Sequence, residues 1–231
     1  MNIYEIVREL EKREKKVFSL DELAVLTGLN LRSASVLLNR MTKKQLVYKV
    51  ERGKFSLSDD PFIVASNVVY PAYLSFSSAF YLYGLLEQVI DKIYVATSKR
   101  TKNRNFNGTE IIFVKIPENL MFGFKKTAYA GGIIAIAEKE KAFVDSLAYT
   151  RYVRINFLDS IVKDMDKDLL EEYAYMTNIE AVKRRLGFLL EKNGMETRIK
   201  TSGRTVYKLN PSISSRGILN PKWRLYINEI L

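Results

Sequence analysis

The amino-acid sequence predicts an α+β fold with helices at both ends of the chain. Apolar residues recur at steps of three and four over Asn30–Gln45, the spacing of one buried face of a helix. Segments rich in Ile and Val at Ile93–Thr97 and Glu110–Ile116 indicate strands in the middle of the chain. From Ile155 onward the pattern is again helical. We therefore expect a mixed α+β chain with a helical C-terminal part.

The composition of the 231 residues narrows the classes of function. Cysteine and histidine are absent, which excludes disulfides, thiolate or histidine zinc sites and Ser-His-Asp catalysis. The net charge of +11 favours a polyanionic partner, nucleic acid first and an acidic protein or membrane surface second. No apolar run approaches the roughly 18 residues of a membrane span. The charged N-terminal segment has no apolar signal core, so we expect a cytoplasmic protein without a membrane partner.

Three helices are predicted before residue 46. The first covers residues 2–14 and has apolar residues at a 3.6-residue period. The second begins at Ser19, which forms the pattern of a capping box with Glu22. Gly28 can take the left-handed conformation that ends this helix, and Asn30 can cap the third.

The third helix, Asn30–Gln45, has the chemistry of a DNA-contacting element. Its expected buried stripe consists of Leu31, Ala34, Leu37, Leu38 and Met41. The positions expected to face outward are Arg32, Ser33, Ser35, Asn39, Arg40, Lys43 and Lys44. Small hydrogen-bonding groups at the helix start suit base edges, and cations along the flank and end suit phosphates. An ordinary solvated helix face is the alternative interpretation.

A β-hairpin with a basic tip is predicted directly after this helix, over Leu46–Leu57. Arg52, Gly53 and Lys54 turn the chain, and Arg52 and Lys54 would meet phosphates or the minor groove. A plain hairpin that caps the helices is the alternative. Helix order, turn glycine and basic hairpin together predict a winged helix-turn-helix DNA-binding domain over residues 1–58.

A second domain is predicted over residues 61–231, with a further boundary near residue 155. Between its first two strands lies an acid-free segment, Ser98–Gly108, that contains Lys99, Arg100, Lys102 and Arg104. This segment is a second nucleic-acid contact, a docking surface for an acidic protein, or only a solvated hairpin tip.

Further elements are expected in this second domain. They are a buried helix at Ser75–Leu86, a hairpin at Phe122–Ala137 turned by Gly131 and Gly132, helices at Glu138–Thr150, Phe157–Lys163, Asp168–Met176 and Ile179–Asn193, a short strand at Thr205–Leu209 and a packed Trp223.

Catalysis is not expected from this sequence. Asp164 and Asp166 are spaced like the magnesium-binding carboxylates of a nucleotidyltransferase, but the glycine-serine loop that should precede them is missing. Alternating Glu and Lys at residues 138–141 are typical of a solvated helix face. We therefore predict a non-enzymatic protein with neither a cofactor nor a metal site.

Three segments of the second domain resemble the AbiEi-type antitoxins. Tyr73–Leu85 resembles the segment that opens the second domain of that family, although Tyr83 stands where many relatives have histidine. Ile136–Leu147 is similar to its A-x-x-E-K-A-hydrophobic-hydrophobic-D helix, and Gly217–Leu225 resembles its tail. In the second of these segments the motif positions are filled by Glu140, Lys141, Ala142 and Asp145.

The resemblance implies a transcriptional repressor that binds its own promoter. It also implies an antitoxin of a type IV toxin–antitoxin, phage-defence operon, whose nucleotidyltransferase toxin is countered without a stable complex. The residues themselves predict a sequence-specific DNA-binding regulator. The alternative is an interaction module that binds an acidic partner through the basic segment of the second domain. The sequence contains no heptad repeat from which an oligomeric state could be predicted.

Overall fold

The computed structural model describes residues 2–13, 16–87 and 91–231. Helices make up 40% and strands 22% of the structure, which confirms the predicted mixed α+β class. Contacts divide the chain into two compact units. Unit 1 comprises the described parts of Met1–Leu74, Asp91–Lys115 and Lys125–Ile136, and unit 2 those of Ser75–Ile90, Ile116–Phe124 and Ala137–Leu231. Unit 1 spans the predicted boundary at residues 58–61, and the division into separate domains stays a prediction.

The N-terminal part of unit 1 combines three helices with a small antiparallel sheet. Its elements are α1 (Ile3–Glu11), β1 (Val17–Ser19), α2 (Leu20–Thr27), α3 (Leu31–Lys43), β2 (Tyr48–Glu51) and β3 (Lys54–Ser56). The strand order is β1-β3-β2. The first helix is shorter than predicted, and residue 14 of the expected range lies outside the described residues. The buried residues that hold these elements together are Ile6, Leu10, Phe18, Leu23, Leu38, Met41 and Val47.

The ends of α2 and α3 are set by the capping groups expected from the sequence. Ser19 Oγ accepts a hydrogen bond from the Glu22 amide at 3.1 Å, and the Glu22 carboxylate accepts one from the Ser19 amide at 2.6 Å. Gly28 ends α2 with a left-handed φ of 69°. Asn30 Oδ1 accepts from the Ser33 amide at 2.9 Å and so begins α3. These local groups define where α2 begins and ends and where α3 begins.

A six-stranded sheet forms the rest of unit 1. Its elements are α4 (Pro61–Asn67), β4 (Ala72–Leu74), β5 (Lys92–Thr97), β6 (Arg104–Phe106), β7 (Thr109–Lys115), β8 (Phe124–Tyr129) and β9 (Gly132–Ala137). The strand order is β6-β7-β5-β4-β9-β8, with β5 parallel to β7 and β6 antiparallel to β7. Helix α4 packs on β4, β5 and β7.

Two local predictions about this sheet are wrong. The acid-free segment is not the tip of a hairpin between β5 and β7, because these strands are parallel and its last part forms the edge strand β6. The turn between β8 and β9 is made by Ala130 and Gly131, since Gly132 already belongs to β9. In β9 a side chain at Gly132 would meet Ile63 of α4, so the small residue allows α4 to approach the sheet.

Unit 2 is mainly helical and is built around a buried central helix. Its elements are α5 (Phe76–Leu82), α6 (Lys139–Ala148), α7 (Ile155–Ile161), α8 (Lys167–Met176), α9 (Glu180–Lys192), β10 (Tyr207–Lys208), β11 (Ile218–Asn220) and β12 (Leu225–Ile227). Helix α6 packs against α5, α8 and α9. Short 3-10 turns lie at Glu118–Leu120 and Val162–Asp164. Among the described residues, no helix is both long enough and apolar enough to cross a membrane.

The C-terminal segment of unit 2 packs on α9 through Trp223. The Trp223 side chain is 4% exposed and lies over Gly187, where a Cβ atom would come within 2.2 Å of the indole ring. Its indole N–H donates to the Glu191 carboxylate at 2.8 Å. The chain then continues into β12, the central strand of the small sheet β10-β12-β11.

Candidate nucleic-acid interface

The buried side of α3 consists of Ala34, Leu38 and Met41, with Leu37 partly buried. Leu31 was expected on this stripe, but its side chain is 52% exposed. As the first residue of α3 it lies at the end of the helix, beyond the part of α3 that the core covers. Every one of the seven positions expected to face outward is exposed: Arg32, Ser33, Ser35, Asn39, Arg40, Lys43 and Lys44.

The exposed face of α3 also contains an apolar residue that the sequence interpretation missed. Steps of four, three and four residues align Arg32, Val36, Asn39 and Lys43 along the centre of this face. Val36 is 47% exposed. Its spacing from Arg32 and Asn39 was visible in the sequence and could have identified it.

A shallow depression of about 420 Å³ lies along one side of this face. It is lined by Leu29, Arg32, Ser33, Val36, Leu37 and Arg40. The depression therefore combines two arginines, Arg32 and Arg40, with apolar residues that include Val36. Guanidinium donors match the acceptors of guanine, and an apolar surface matches the methyl group of thymine. Because α3 contains no acidic residue, its own side chains do not oppose an approaching polyanion.

The two cations predicted at the hairpin tip differ in their surroundings. Arg52 is exposed next to Gly53, whose φ of 78° allows the tight turn between β2 and β3. The Lys54 ammonium instead lies 3.1 Å from the Glu51 carboxylate and donates to the Val68 carbonyl at 3.0 Å. Arg52 is therefore available to a phosphate, whereas Lys54 already has two acceptors within the chain.

Arg104 is also held within unit 1, so the four cations of the basic segment are not equivalent. Its guanidinium donates to both Glu51 carboxylate oxygens, at 2.9 and 3.2 Å, and it lies over the Phe113 ring at 5.0 Å. The Arg104 side chain is only 12% exposed and is paired with Glu51, so it is not an exposed cation that could bind an external partner. Lys99, Arg100 and Lys102 are exposed as expected.

Glu51 therefore joins the hairpin to strand β6. Although partial burial alone would raise the pKa of the Glu51 carboxyl, hydrogen bonds from Arg104 and Lys54 lower it below its ordinary value. The carboxylate thus stays ionised at neutral pH and holds both cations.

The helix that resembles the AbiEi motif lies in the core of unit 2. Glu140, Lys141, Ala142 and Asp145 of α6 are all buried. Lys141 forms an ion pair with Asp145, and Ser75 Oγ donates to Asp145 at 2.8 Å. Burial lowers the pKa of Lys141, and the nearby Asp145 carboxylate opposes that shift. Glu140, Lys141 and Asp145 are thus polar residues within the core of unit 2. The prediction of a solvated helix face at residues 138–141 is wrong for Glu140 and Lys141.

The cations of α9 are structural as well. Arg184 donates to the carbonyls of Ser202, Gly203 and Thr205, the segment that leads into β10. Arg185 donates to the carbonyls of Leu147 at 2.6 Å and Lys208 at 3.1 Å. Both side chains are buried, and they tie the C-terminal segment and α6 to α9.

The Asp164-x-Asp166 pair is divided between two local roles. Asp166 caps α8, because its Oδ1 accepts from the Leu169 amide at 3.1 Å. Asp164 ends the preceding 3-10 turn. Within the part of the chain that the structure describes, no group of three metal-ligating side chains occurs.

Comparison with known proteins identifies no relative of this chain. No model of a known protein family matches the chain, and a search of curated proteins finds no match. The resemblance to the AbiEi-type antitoxins therefore stays an expectation that rests on the sequence motifs.

Proposed function

We propose that this chain is a sequence-specific DNA-binding transcriptional regulator whose N-terminal part is a winged helix-turn-helix. Helix α3 would be the recognition helix and the β2–β3 hairpin the wing. One observation carries the proposal. The acid-free outer face of α3 and the exposed Arg52 at the hairpin tip belong to the same compact unit, and both present groups suited to DNA.

The side chains of α3 fall into two roles under this proposal. Residues near the helix start and along its centre would contact base edges: Arg32, Ser33, Ser35, Val36 and Asn39. Arg32 suits guanine, Asn39 suits adenine and Val36 suits a thymine methyl group. The cations of the helix flank, helix end and hairpin would hold phosphates: Arg40, Lys43, Lys44 and Arg52. Lys54 contributes less, since Glu51 and Val68 already bind its ammonium.

We further propose that the regulator represses its own promoter and acts as a type IV antitoxin. This part rests on the sequence resemblance to AbiEi-type proteins. It implies a neighbouring nucleotidyltransferase toxin that arrests growth when expressed alone. Co-expression of the present chain should restore growth, while affinity purification recovers no stable complex of the two proteins. Persistent arrest would remove the antitoxin role and leave the DNA-binding role untouched.

The DNA-binding proposal is tested by fluorescence anisotropy with a duplex from upstream of the protein's own gene. A shuffled duplex of the same composition serves as the reference, and both are titrated over a series of salt concentrations. We expect a preference of about 10³-fold or more for the upstream duplex at physiological salt. Equal affinity for both duplexes, with only a steep salt dependence, would show charge without sequence recognition and contradict the proposal.

Arg32→Ala provides the matching variant experiment. It should cost about 1–3 kcal/mol on the upstream duplex and little on the shuffled one. The control is Lys125→Ala, which removes an exposed cation of β8. That control should leave the preference between the two duplexes unchanged.

A further inference from the structure

The basic loop, residues 98–103 between β5 and β6, is an exposed patch of positive charge in unit 1. Lys99, Arg100 and Lys102 point cations outward, and the loop contains no acidic residue. Its place in unit 1 matters, because the hairpin proposed as the wing belongs to the same unit. Arg104, which follows the loop, binds Glu51 of the hairpin, so the two elements are adjacent.

Both ends of the basic loop are fixed by hydrogen bonds. At its start the Lys99 amide donates to Thr97 Oγ1 at 3.2 Å, and that hydroxyl donates to the Pro71 carbonyl at 2.7 Å. At its end the Phe113 amide donates to Asn103 Oδ1 at 3.2 Å. Arg104 Nη1 also donates to the Lys102 carbonyl at 2.9 Å, which holds the loop backbone directly.

The Glu51 carboxylate connects this loop to the hairpin. It accepts two hydrogen bonds from Arg104, and it forms an ion pair with Lys54 across the hairpin turn. The two-point contact of a guanidinium with a carboxylate fixes orientation as well as distance. The loop is consequently held in a defined position beside the strand that leads to Arg52.

We infer that the basic loop is a second DNA contact, which binds phosphates of the duplex that flanks the site on the hairpin side. This inference rests on the proposed DNA-binding function and extends the bound surface beyond α3 and the hairpin. Flexible lysine side chains suit phosphates as point charges and carry no base specificity. Lys99, Arg100 and Lys102 are the binding residues, and Glu51 and Arg104 are positioning residues.

Duplex DNA is favoured over an acidic protein because of the coupling to the hairpin. A loop that served an unrelated partner would gain nothing from a fixed position relative to Arg52. A DNA duplex, in contrast, presents phosphates at regular spacing along its axis. A second contact at a fixed distance from Arg52 can match that spacing.

The position of the loop is tested by tethered cleavage, which the absence of cysteine makes straightforward. Single cysteines are introduced as Lys102→Cys, Arg52→Cys and, as a control, Lys125→Cys, and each carries an iron chelate that cleaves nearby DNA. We expect the residue-52 probe to cut at one end of the site and the residue-102 probe to cut the flanking duplex next to it. The residue-125 probe should cut at neither place. Cleavage by the residue-52 probe without cleavage by the residue-102 probe would overturn the inference.

The energetic contribution is tested with matched lysine pairs. Lys99→Gln/Lys102→Gln removes two loop cations, and Lys125→Gln/Lys126→Gln removes two exposed lysines of β8, at the opposite edge of the six-stranded sheet. Each protein is titrated with a core duplex and with one extended by about one helical turn, ~10 bp, on the hairpin side. Wild type and the β8 pair should bind the extended duplex more tightly. The loop pair should lose that gain, and its salt slope on the extended duplex should fall by about 2 units.

The Glu51→Ala variant distinguishes positioning of the basic loop by Glu51 from the effect of the protein's net charge on DNA binding. It removes a negative charge and leaves every loop cation in place, so charge alone predicts tighter binding to both duplexes. Positioning by Glu51 predicts that affinity for the core duplex is kept or rises while the gain from the extension falls. An undiminished gain would show that Glu51 does not position the loop.

The outcomes distinguish this inference from the proposed function. If wild type does not prefer its own upstream DNA, the proposed function fails. If wild type binds the core duplex specifically but gains nothing from the extension, only the second contact fails. Binding of an Asp/Glu-rich peptide that the loop pair abolishes, with DNA affinity unchanged on both duplexes, would assign the loop to an acidic partner instead.

Discussion

The exposed cations of unit 1 and the buried cations of unit 2 show how one residue type serves two purposes. On α3 and at the hairpin tip, Arg32 and Arg52 extend into solvent. In unit 2, Lys141 and Arg184 have almost no exposed surface, and carboxylate or carbonyl oxygens surround them. A buried charge is costly unless it is paired, so Lys141 and Arg184 are bound to their internal partners. Only the exposed set is free to attract a polyanion.

The net charge of +11 is a total for the whole chain and does not distinguish exposed cations from buried ones. Charge attracts a partner when it reaches the surface, and it stabilises the fold when it is paired inside. Lys54 and Arg104 are intermediate, since they lie beside the proposed DNA surface yet bind Glu51. Substitutions of the buried cations of unit 2 should accordingly change stability, whereas those of the exposed cations on α3 and at the hairpin tip should change DNA affinity.

The largest effect is expected for Asp145→Ala in unit 2. This change leaves the buried Lys141 ammonium without its carboxylate and should lower the free energy of unfolding by about 3–5 kcal/mol. The double variant Lys141→Met/Asp145→Leu removes both charges and should cost less than Asp145→Ala alone. Denaturant unfolding followed by circular dichroism measures both. A double variant that is less stable than Asp145→Ala would contradict this expectation, because removal of the unpaired Lys141 charge would then bring no relief.

Arg184→Met should have the next largest effect. Removing the buried guanidinium breaks its hydrogen bonds to the carbonyls of Ser202, Gly203 and Thr205, which should cost about 1–3 kcal/mol of stability. Lys200→Met, at an exposed position of the same unit, is the control and should stay within about 0.5 kcal/mol of wild type. Equal stability of the two variants would mean that water replaces the guanidinium without penalty.

A smaller effect, on DNA affinity, is expected at Val36. If its side chain covers a thymine methyl group, replacing that thymine with deoxyuridine should weaken binding by about 0.8 kcal/mol, the value of one buried CH₂ group. A scan of deoxyuridine through the site should find one such position for wild type, and Val36→Ala should lose most of the difference there. A wild-type scan without any sensitive position would remove Val36 from the recognition surface.

The smallest effect should distinguish Lys54 from Arg52. Arg52→Gln removes an exposed cation and should reduce the salt slope by about one unit. Lys54→Gln should reduce it by clearly less, because the Lys54 ammonium already binds Glu51 and the Val68 carbonyl. Equal slopes for the two variants would indicate that Lys54 exchanges its internal partners for phosphate when DNA binds.

Local signals made the start of α3 and the outline of its surface predictable. The caps at Ser19 and Asn30 depend on groups only three residues away, so the sequence contains all of their partners. The outward positions of α3 followed from helical spacing alone. The middle strands β5 and β7 were recognisable from their Ile and Val content, within one residue of their observed bounds.

Long-range pairing is what the sequence could not reveal. Strands β1 and β6 contain three residues each, too few to form a recognisable pattern, and they exist because β3 and β7 offer free edges. Arg104 resembled a free cation because Glu51 lies 53 positions earlier in the chain. The buried Lys141 resembled a surface charge for a similar reason, since its burial depends on how α5, α8 and α9 pack around α6.

The packing of Trp223 on α9 gives the molecule a built-in optical reporter. Trp223 is the chain's single tryptophan, it is nearly inaccessible to water, and it belongs to unit 2. Its emission should shift to longer wavelength when α9 and the C-terminal segment separate, because its contacts with Gly187 and Glu191 lie within unit 2. Comparing this emission with a helix signal from the whole chain would therefore show whether the two units melt together or in sequence.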